Sequence, residues 1–191
     1  MLPVYVPAFS SPRIDRLLSE VPWEQRTTTR SECFMAPGPP YPYTYGQGRG
    51  VRTYTSIPMS DLIADIMGAV NEWLAQRDVA HGLLGWGPMT GCFLNRYDHD
   101  RQHLGWHADN FVGMDHTRCV AVVSFGEPRE IWWRPNPEPG KLVAFPVQSQ
   151  LLANGSLFLM PPGMQHTHEH RIPKGSRSMG PRVSLTFRAF K

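Results

Sequence analysis

Arg182-Val-Ser-Leu-Thr-Phe-Arg188 alternates polar and apolar residues with a period of two, the repeat of a β-strand, in which successive side chains point to opposite faces. Val183, Leu185 and Phe187 share one face, and Arg182, Ser184, Thr186 and Arg188 share the other. The apolar face calls for a core. A face with an arginine at each end is out of place in a second closed core, and it makes sense if it lines a polar cavity. The competing reading is a pair of solvent-facing arginines. A strand of this length spans roughly 20 Å, so long side chains leaning inward from its ends can grip a short dicarboxylate between them. Guanidinium suits that task, because its fork meets a carboxylate with two hydrogen bonds.

Working outward, the second half of the chain is a series of similar short stretches. Cys92 to Tyr97, Arg118 to Phe125, Glu130 to Arg134, Leu142 to Pro146, Ser156 to Met160, Gln165 to Ile172 and Arg182 to Phe190 all read as strands. Turn residues punctuate them, among them Pro135 to Gly140, Asn154-Gly155 and Pro161 to Gly163. Many short strands following a helix predict a mainly β, α+β fold, a sandwich of the jelly-roll kind with helical support on one side. That helix is Ser60 to Arg77. Ser60 suits its N-cap, and Leu62, Ile63, Ile66, Met67, Val70, Trp73 and Leu74 recur at helical spacing as a core-facing stripe. A shorter helix is predicted over residues 10–19, capped by Ser10 or Ser11, with Pro12 in its first turn and Ile14, Leu17 and Leu18 on one face.

Residues 20–58 have another character, rich in proline, glycine, threonine, arginine and tyrosine. They predict short strands and long loops. Tyr41, Tyr43 and Tyr45 alternate, so a strand sends all three to one side, either as an aromatic sheet edge or as a surface on which bases stack.

The 191 residues suit one domain. A hydrophobic content of 41% and a charged content of 18% are those of a globular chain. A net charge of +3 is compatible with a polyanionic partner without requiring one. Cys33, Cys92 and Cys119 are odd in number and far apart, which argues against a disulfide framework or a zinc site. Met1 to Phe9 lacks the pattern of a secretory leader, and no apolar run approaches the roughly 18 to 20 residues of a membrane span. The expectation is a soluble intracellular protein that acts as a monomer, away from the membrane.

The chemistry points to Asn95-Arg-Tyr97 and His107-Ala-Asp109. Asn95 and Tyr97 share a strand face, as do His107 and Asp109 in an extended segment. An imidazole and a carboxylate so placed can reach one divalent ion. A second His would complete the two-His, one-carboxylate set that holds non-haem Fe(II) and leaves positions open. An H-x-D tripeptide alone is a weak signal, more often structural than not. The chain offers that second His in the run His166, His168 and His170, which a continuous strand would place on one face, so spacing does not choose among them.

Taken in order, Asn95-Arg-Tyr97, His107-Ala-Asp109, Ser124-Phe-Gly126, Gly155-Ser-Leu-Phe-Leu-Met160, a distal His and Arg182-Val-Ser-Leu-Thr-Phe-Arg188 resemble the AlkB family of Fe(II)- and 2-oxoglutarate-dependent dioxygenases, which demethylate alkylated nucleic acids. The resemblance covers residues 92–191 well and the first ninety loosely. It implies a double-stranded β-helix (jelly roll) as catalytic core over 92–191, a supporting helix over 60–77 and a nucleotide-recognition lid over about 20–58. It implies Fe(II) bound by His107, Asp109 and His170, with 2-oxoglutarate and O2 as cosubstrates. Asn95 would lie near the keto-acid end of 2-oxoglutarate, Tyr97 and Arg182 at its far carboxylate, and Arg188 nearer the metal. Succinate, CO2 and formaldehyde would be the products of removing an N-methyl group. Tyr43 and Tyr45 would belong to the lid, with Tyr45 stacking on a base that is flipped out or single-stranded. Arg30, Arg49 and Arg52 are candidate phosphate contacts.

One position departs from the pattern. DNA-repair members carry an acidic residue two positions after the Asp ligand, facing the cationic base, and this chain has Phe111 there. The same chemistry on a free nucleotide, another base modification or a protein side chain is therefore an alternative, as is a nucleic-acid-binding module without turnover.

Overall fold

The computed structural model of the chain describes residues 2–11, 13–46, 51–81, 86–109, 113–137 and 146–191, with the side chains of 78–81 left aside. Two sheets face each other. The larger runs in the order β1 (Val4–Val6), β11 (Ser156–Met160), β8 (Val120–Gly126), β13 (Arg182–Arg188), β6 (Gly91–Tyr97), β2 (Ser31–Ala36) and β5 (Ile57–Pro58). The smaller runs β10 (Gln148–Leu152), β9 (Arg129–Pro135), β12 (His168–Ile172) and β7 (Leu104–His107). A separate antiparallel pair is made by β3 (Pro42–Tyr45) and β4 (Arg52–Thr55). Among the described residues three helices accompany them: α1 (Ile14–Glu20), α2 (Asp61–His81) and α3 (Met164–Thr167). This is the mainly β jelly roll that the strand pattern predicts.

Strand β13 sits in the middle of the larger sheet, paired with β8 on one side and β6 on the other. Its two faces separate as their composition requires. Val183, Leu185 and Phe187 are fully buried in a core with Leu62, Ile63, Ile66, Val70 and Leu74 of α2. Burying a side chain of this size contributes about 1.5–3 kcal/mol, so the helix stripe and the strand face fix each other. Arg182, Ser184, Thr186 and Arg188 face the smaller sheet's side and are buried as well. Their face lines the protein interior rather than solvent.

The turn Asn154-Gly155 precedes β11 as expected. Gly155 has φ +76, and an added Cβ would lie 2.1 Å from the Ser10 carbonyl oxygen. The close approach lets the Gly155 carbonyl accept from the N–H groups of Phe9 and Ser10, both at 2.9 Å. This holds the N-terminal segment against the larger sheet.

Several local expectations need correction. The first helix begins at Ile14, with Arg13 at its N-cap position and no side-chain cap. Ser10 and Ser11 do not cap it; the Ser10 hydroxyl bonds to the Ser11 carbonyl at 3.4 Å. Ser60 does occupy the start of α2, its carbonyl accepting from Ala64 N–H at 2.9 Å, but the helix runs on to His81. The strand expected over Gln165 to Ile172 is divided. Gly163, at φ +77, follows two prolines and turns the chain into α3, so that only His168 to Ile172 are extended. The strand expected over Leu142 to Pro146 falls mainly on residues outside those described. Strand β10 was not foreseen, because Gln148, Ser149 and Leu151 are exposed on a sheet edge and show no buried face. Among the described residues, no helix is long and apolar enough to cross a membrane.

Candidate metal centre

Strands β7 and β12 are neighbours in the smaller sheet, and their register sets His107 opposite His170. The two rings lie 4.2 Å apart between centroids. Asp109 follows β7 by two residues, which brings its Oδ1 to 3.8 Å from His107 Nε2. One candidate ligand atom from each of His107, Asp109 and His170 lies within 4.8 Å of the others. His107 Nδ1 is 2.9 Å from the Gly105 carbonyl, a hydrogen bond that selects the tautomer with Nε2 free to bind a cation. The Asp109 N–H donates to Gln165 Oε1 at 2.8 Å, fixing the backbone behind the carboxylate.

The structure separates the three histidines that spacing left together. His166 lies in α3 with its ring against His116, and His168 is bonded through Nδ1 to the Thr167 hydroxyl at 2.8 Å. Only His170 of the three faces His107 and Asp109.

The electrostatics suit a cation. Burial opposes charge on Asp109, but the Arg188 guanidinium, helped by the two imidazoles, brings its carboxyl down to about 2. Burial, and then the neighbouring His107, push the His170 imidazole down to about 3. Burial also lowers His107. One ionised carboxylate and two neutral imidazoles are the donor set that Fe(II) takes.

The polar face of β13 continues the site. Arg188 pairs with Asp109. At the other end, Arg182 Nη2 donates to the Ser124 hydroxyl at 2.9 Å, and its guanidinium lies 5.4 Å from the Tyr97 ring centroid. Nε and Nη1 of Arg182 and the Tyr97 hydroxyl are buried without a hydrogen-bond partner of good geometry. Burial brings the Arg182 guanidinium down to about 10, and nearby Arg129 adds to the fall while Tyr97 opposes it. Buried donors are nearly always satisfied, so this cluster fits an anionic acceptor such as the far carboxylate of 2-oxoglutarate. Asn95, opposite Ser184 in the sheet, accepts from Arg30 Nε at 2.9 Å.

Arg30 itself lies in the interior rather than on the outer surface. It is 4% exposed and its Nη2 lies 2.5 Å from Glu32 Oε1, in a cluster that also contains the hydroxyls of Tyr45 and Tyr54. Its charge is already matched by a carboxylate, although its side chain also lines the cavity beside Tyr45. The three alternating tyrosines do turn to one side: Tyr41 and Tyr43 pack on Phe34, and Tyr43 and Tyr45 on Phe93. Tyr43 is buried in this aromatic cluster, while Tyr45 is half-buried with its ring stacked on those of Tyr43 and Tyr54. A cavity of about 770 Å³ opens here, lined by Tyr43, Tyr45, Arg52, Trp106, His107 and Asp109 among others. Arg49 and Phe111 lie outside the described residues.

Three contributors carry no local signal. Arg129 begins β9, Gln165 sits in α3 and Glu32 in β2, and each reads as an ordinary polar residue until the packing buries it.

Comparison with known proteins agrees with this geometry. The sequence pattern of the 2OG-Fe(II) oxygenase superfamily matches residues 6–188. The human alpha-ketoglutarate-dependent dioxygenase alkB homolog 3 is 25% identical over 185 residues, 92% of this chain and 59% of that protein. The mouse DNA oxidative demethylase ALKBH2 is 35% identical over 97 residues, 50% of this chain and 41% of that protein. The chain thus matches little more than half the length of the first of these relatives and less of the second. The solved structure of OsALKBH1 superposes with a TM-score of 0.54 at 17% identity, covering 84% of this chain and 78% of that one, a likeness of fold. The chain belongs to the 2OG-Fe(II) oxygenase superfamily.

Proposed function

We propose that the protein oxidatively demethylates N-alkylated bases in DNA or RNA, in repair of alkylation damage. The observation that carries this reading is the meeting of His107, Asp109 and His170 within 4.8 Å at a cavity walled by tyrosines. The names of the relatives, a dioxygenase alkB homolog and a DNA oxidative demethylase, support it.

In this reading His107, Asp109 and His170 hold Fe(II). With 2-oxoglutarate and O2 the bound metal supplies oxidative decarboxylation to succinate and CO2 coupled to hydroxylation of an N-methyl carbon. The chain's own residues bind and orient. Arg182 and Tyr97 take the far carboxylate of 2-oxoglutarate, and Asn95, steadied by Arg30, meets the keto-acid end. Arg188 keeps Asp109 ionised and aimed. The hydroxymethyl product on the base then releases formaldehyde and leaves the repaired base.

A methyl group inside a duplex cannot reach the cavity, so the base enters flipped or single-stranded. About residues 20–58 act as the lid, with Tyr43 as inner wall, Tyr45 as the stacking ring and Phe111 beside the base. Arg52 at the rim is placed for a phosphate. Residues 92–191 form the catalytic core, α2 supports it, and the chain works as a monomer inside the cell.

The test is formaldehyde and succinate release with Fe(II), 2-oxoglutarate and O2, on methylated oligonucleotides and on methylated nucleosides. Release from the oligonucleotides only supports the reading. Turnover on nucleosides alone, or none on either, contradicts it.

A further inference from the structure

Among the described residues four arginines are buried with about 4% of their surface exposed or less: Arg30, Arg129, Arg182 and Arg188. Two are matched by buried carboxylates, Arg30 by Glu32 and Arg188 by Asp109. The other two are not. Among the described residues neither Arg129 nor Arg182 has a carboxylate within 4.0 Å, and they share one tyrosine. The Arg129 guanidinium lies 5.7 Å from the Tyr97 ring centroid and that of Arg182 5.4 Å.

Two buried like charges without a directly paired carboxylate are costly, and each raises the cost of the other; Asp100 and Glu127 act on Arg129 only from beyond 4.0 Å. Arg129 Nη2 donates to the carbonyls of Gln102, at 2.9 Å, and Pro173, at 2.5 Å. These bonds hold the guanidinium in place but do not neutralise it. Arg129 Nη1 is buried without a hydrogen-bond partner of good geometry, like Nε and Nη1 of Arg182 and the Tyr97 hydroxyl, although Arg182 and Tyr97 lie close enough to interact with each other. These four buried atoms, from β9 of the smaller sheet and from β6 and β13 of the larger, therefore belong to one cluster about Tyr97. Both the missing charge and the missing acceptors are those of a carboxylate.

We propose that Arg129 is a second cationic contact for the distal carboxylate of 2-oxoglutarate, and that with Arg182 and Tyr97 it makes the pocket select 2-oxo acids that end in a carboxylate. The inference rests on the placement of that carboxylate at Arg182 in the proposed function. It adds a residue that β13 does not carry and assigns the selectivity to a pair of guanidiniums. The bound acid would also tie the two sheets together, because Arg129 and Arg182 come from opposite ones.

The experiment measures equilibrium binding to the full chain, with Mn(II) in place of Fe(II) so that no turnover occurs. The probes are 2-oxoglutarate and 2-oxobutanoate, which lacks the distal carboxylate. Wild type should prefer 2-oxoglutarate. Arg129→Gln should weaken 2-oxoglutarate about tenfold or more while 2-oxobutanoate stays within about twofold, since only the former meets the lost charge. Arg129→Lys, which keeps a charge and disturbs the fold less, should fall between. Equal weakening of both acids, or no change in either, would make Arg129 a clamp on the Gln102 and Pro173 carbonyls only, and the inference fails alone. A wild type that does not distinguish the two acids removes the placement at Arg182 as well. A crystal structure of the wild-type Mn(II)–2-oxoglutarate complex tests the geometry without any variant. Nη1 of Arg129 should point to the distal carboxylate, directly or through one water; Nη1 bonded elsewhere overturns the proposal.

Discussion

Arg188 and Asp109 form a two-point ion pair in the interior, with Nη2 2.8 Å from Oδ1 and Nε 3.2 Å from Oδ2. The pair joins the end of the central strand to the candidate metal ligand 79 residues earlier. It stabilises the ionised carboxylate against its own burial and fixes which oxygen faces the two imidazoles. Arg188→Met should therefore raise the Asp109 carboxyl from its value of about 2. A carboxylate whose folded value lies below its ordinary 3.8 contributes stability that is present above about 4 and lost as pH falls towards 2. The variant should be less stable near neutral pH, should lose less further stability between about pH 4 and 2 as followed by circular dichroism, and should bind Mn(II) more weakly.

His170 predicts the opposite dependence on charge state over another window. Its imidazole falls from an ordinary 6.5 to about 3, by burial first and His107 second. The unfolded chain then binds a proton that the folded chain refuses. Metal-free protein should lose stability progressively as pH falls from about 6.5 towards 3. Thermal denaturation across this range should show a smaller pH slope in His170→Asn than in wild type.

Arg182 carries a buried charge without a carboxylate partner, so its loss has two effects of opposite sign. Arg182→Met should raise the Tm of the cosubstrate-free protein, because an uncompensated charge is replaced by an apolar chain of similar length. The same variant should abolish the Tm gain that 2-oxoglutarate and Mn(II) give wild type. A fall in the cosubstrate-free Tm would contradict the reading of this arginine as an anion contact.

Glu32 anchors the aromatic hairpin. Its carboxylate accepts from Arg30, Tyr45 and Tyr54 while fully buried. Glu32→Ala leaves a buried guanidinium unpaired and should cost about 3–5 kcal/mol in urea unfolding. Tyr45→Ala removes a half-buried ring and should cost less stability, yet raise KM for a methylated oligonucleotide.

The parts legible in the sequence are those whose signal is local. The period-two faces of Arg182 to Arg188 and the helical stripe from Leu62 to Leu74 each state which side is buried, and the structure packs one on the other. Asn154-Gly155 was legible as a turn because the backbone there demands glycine. What depends on tertiary contact was hidden. Arg30 reads as a surface cation, and only its burial against Glu32, two residues further on, shows that it is internal. His166 reads as a member of a strand with His168 and His170, and Gly163 turns it away. Arg129 has no neighbour in sequence that hints at Tyr97 or Arg182.

The central claim is that His107, Asp109 and His170 share one divalent ion. Titration of the full chain with Mn(II), followed by electron paramagnetic resonance, tests it most directly. Wild type should bind one ion per chain; His107→Ala, Asp109→Ala and His170→Ala should each lose most of that affinity, and His168→Ala should keep it. Binding that survives in His170→Ala, or disappears in His168→Ala, would contradict the account.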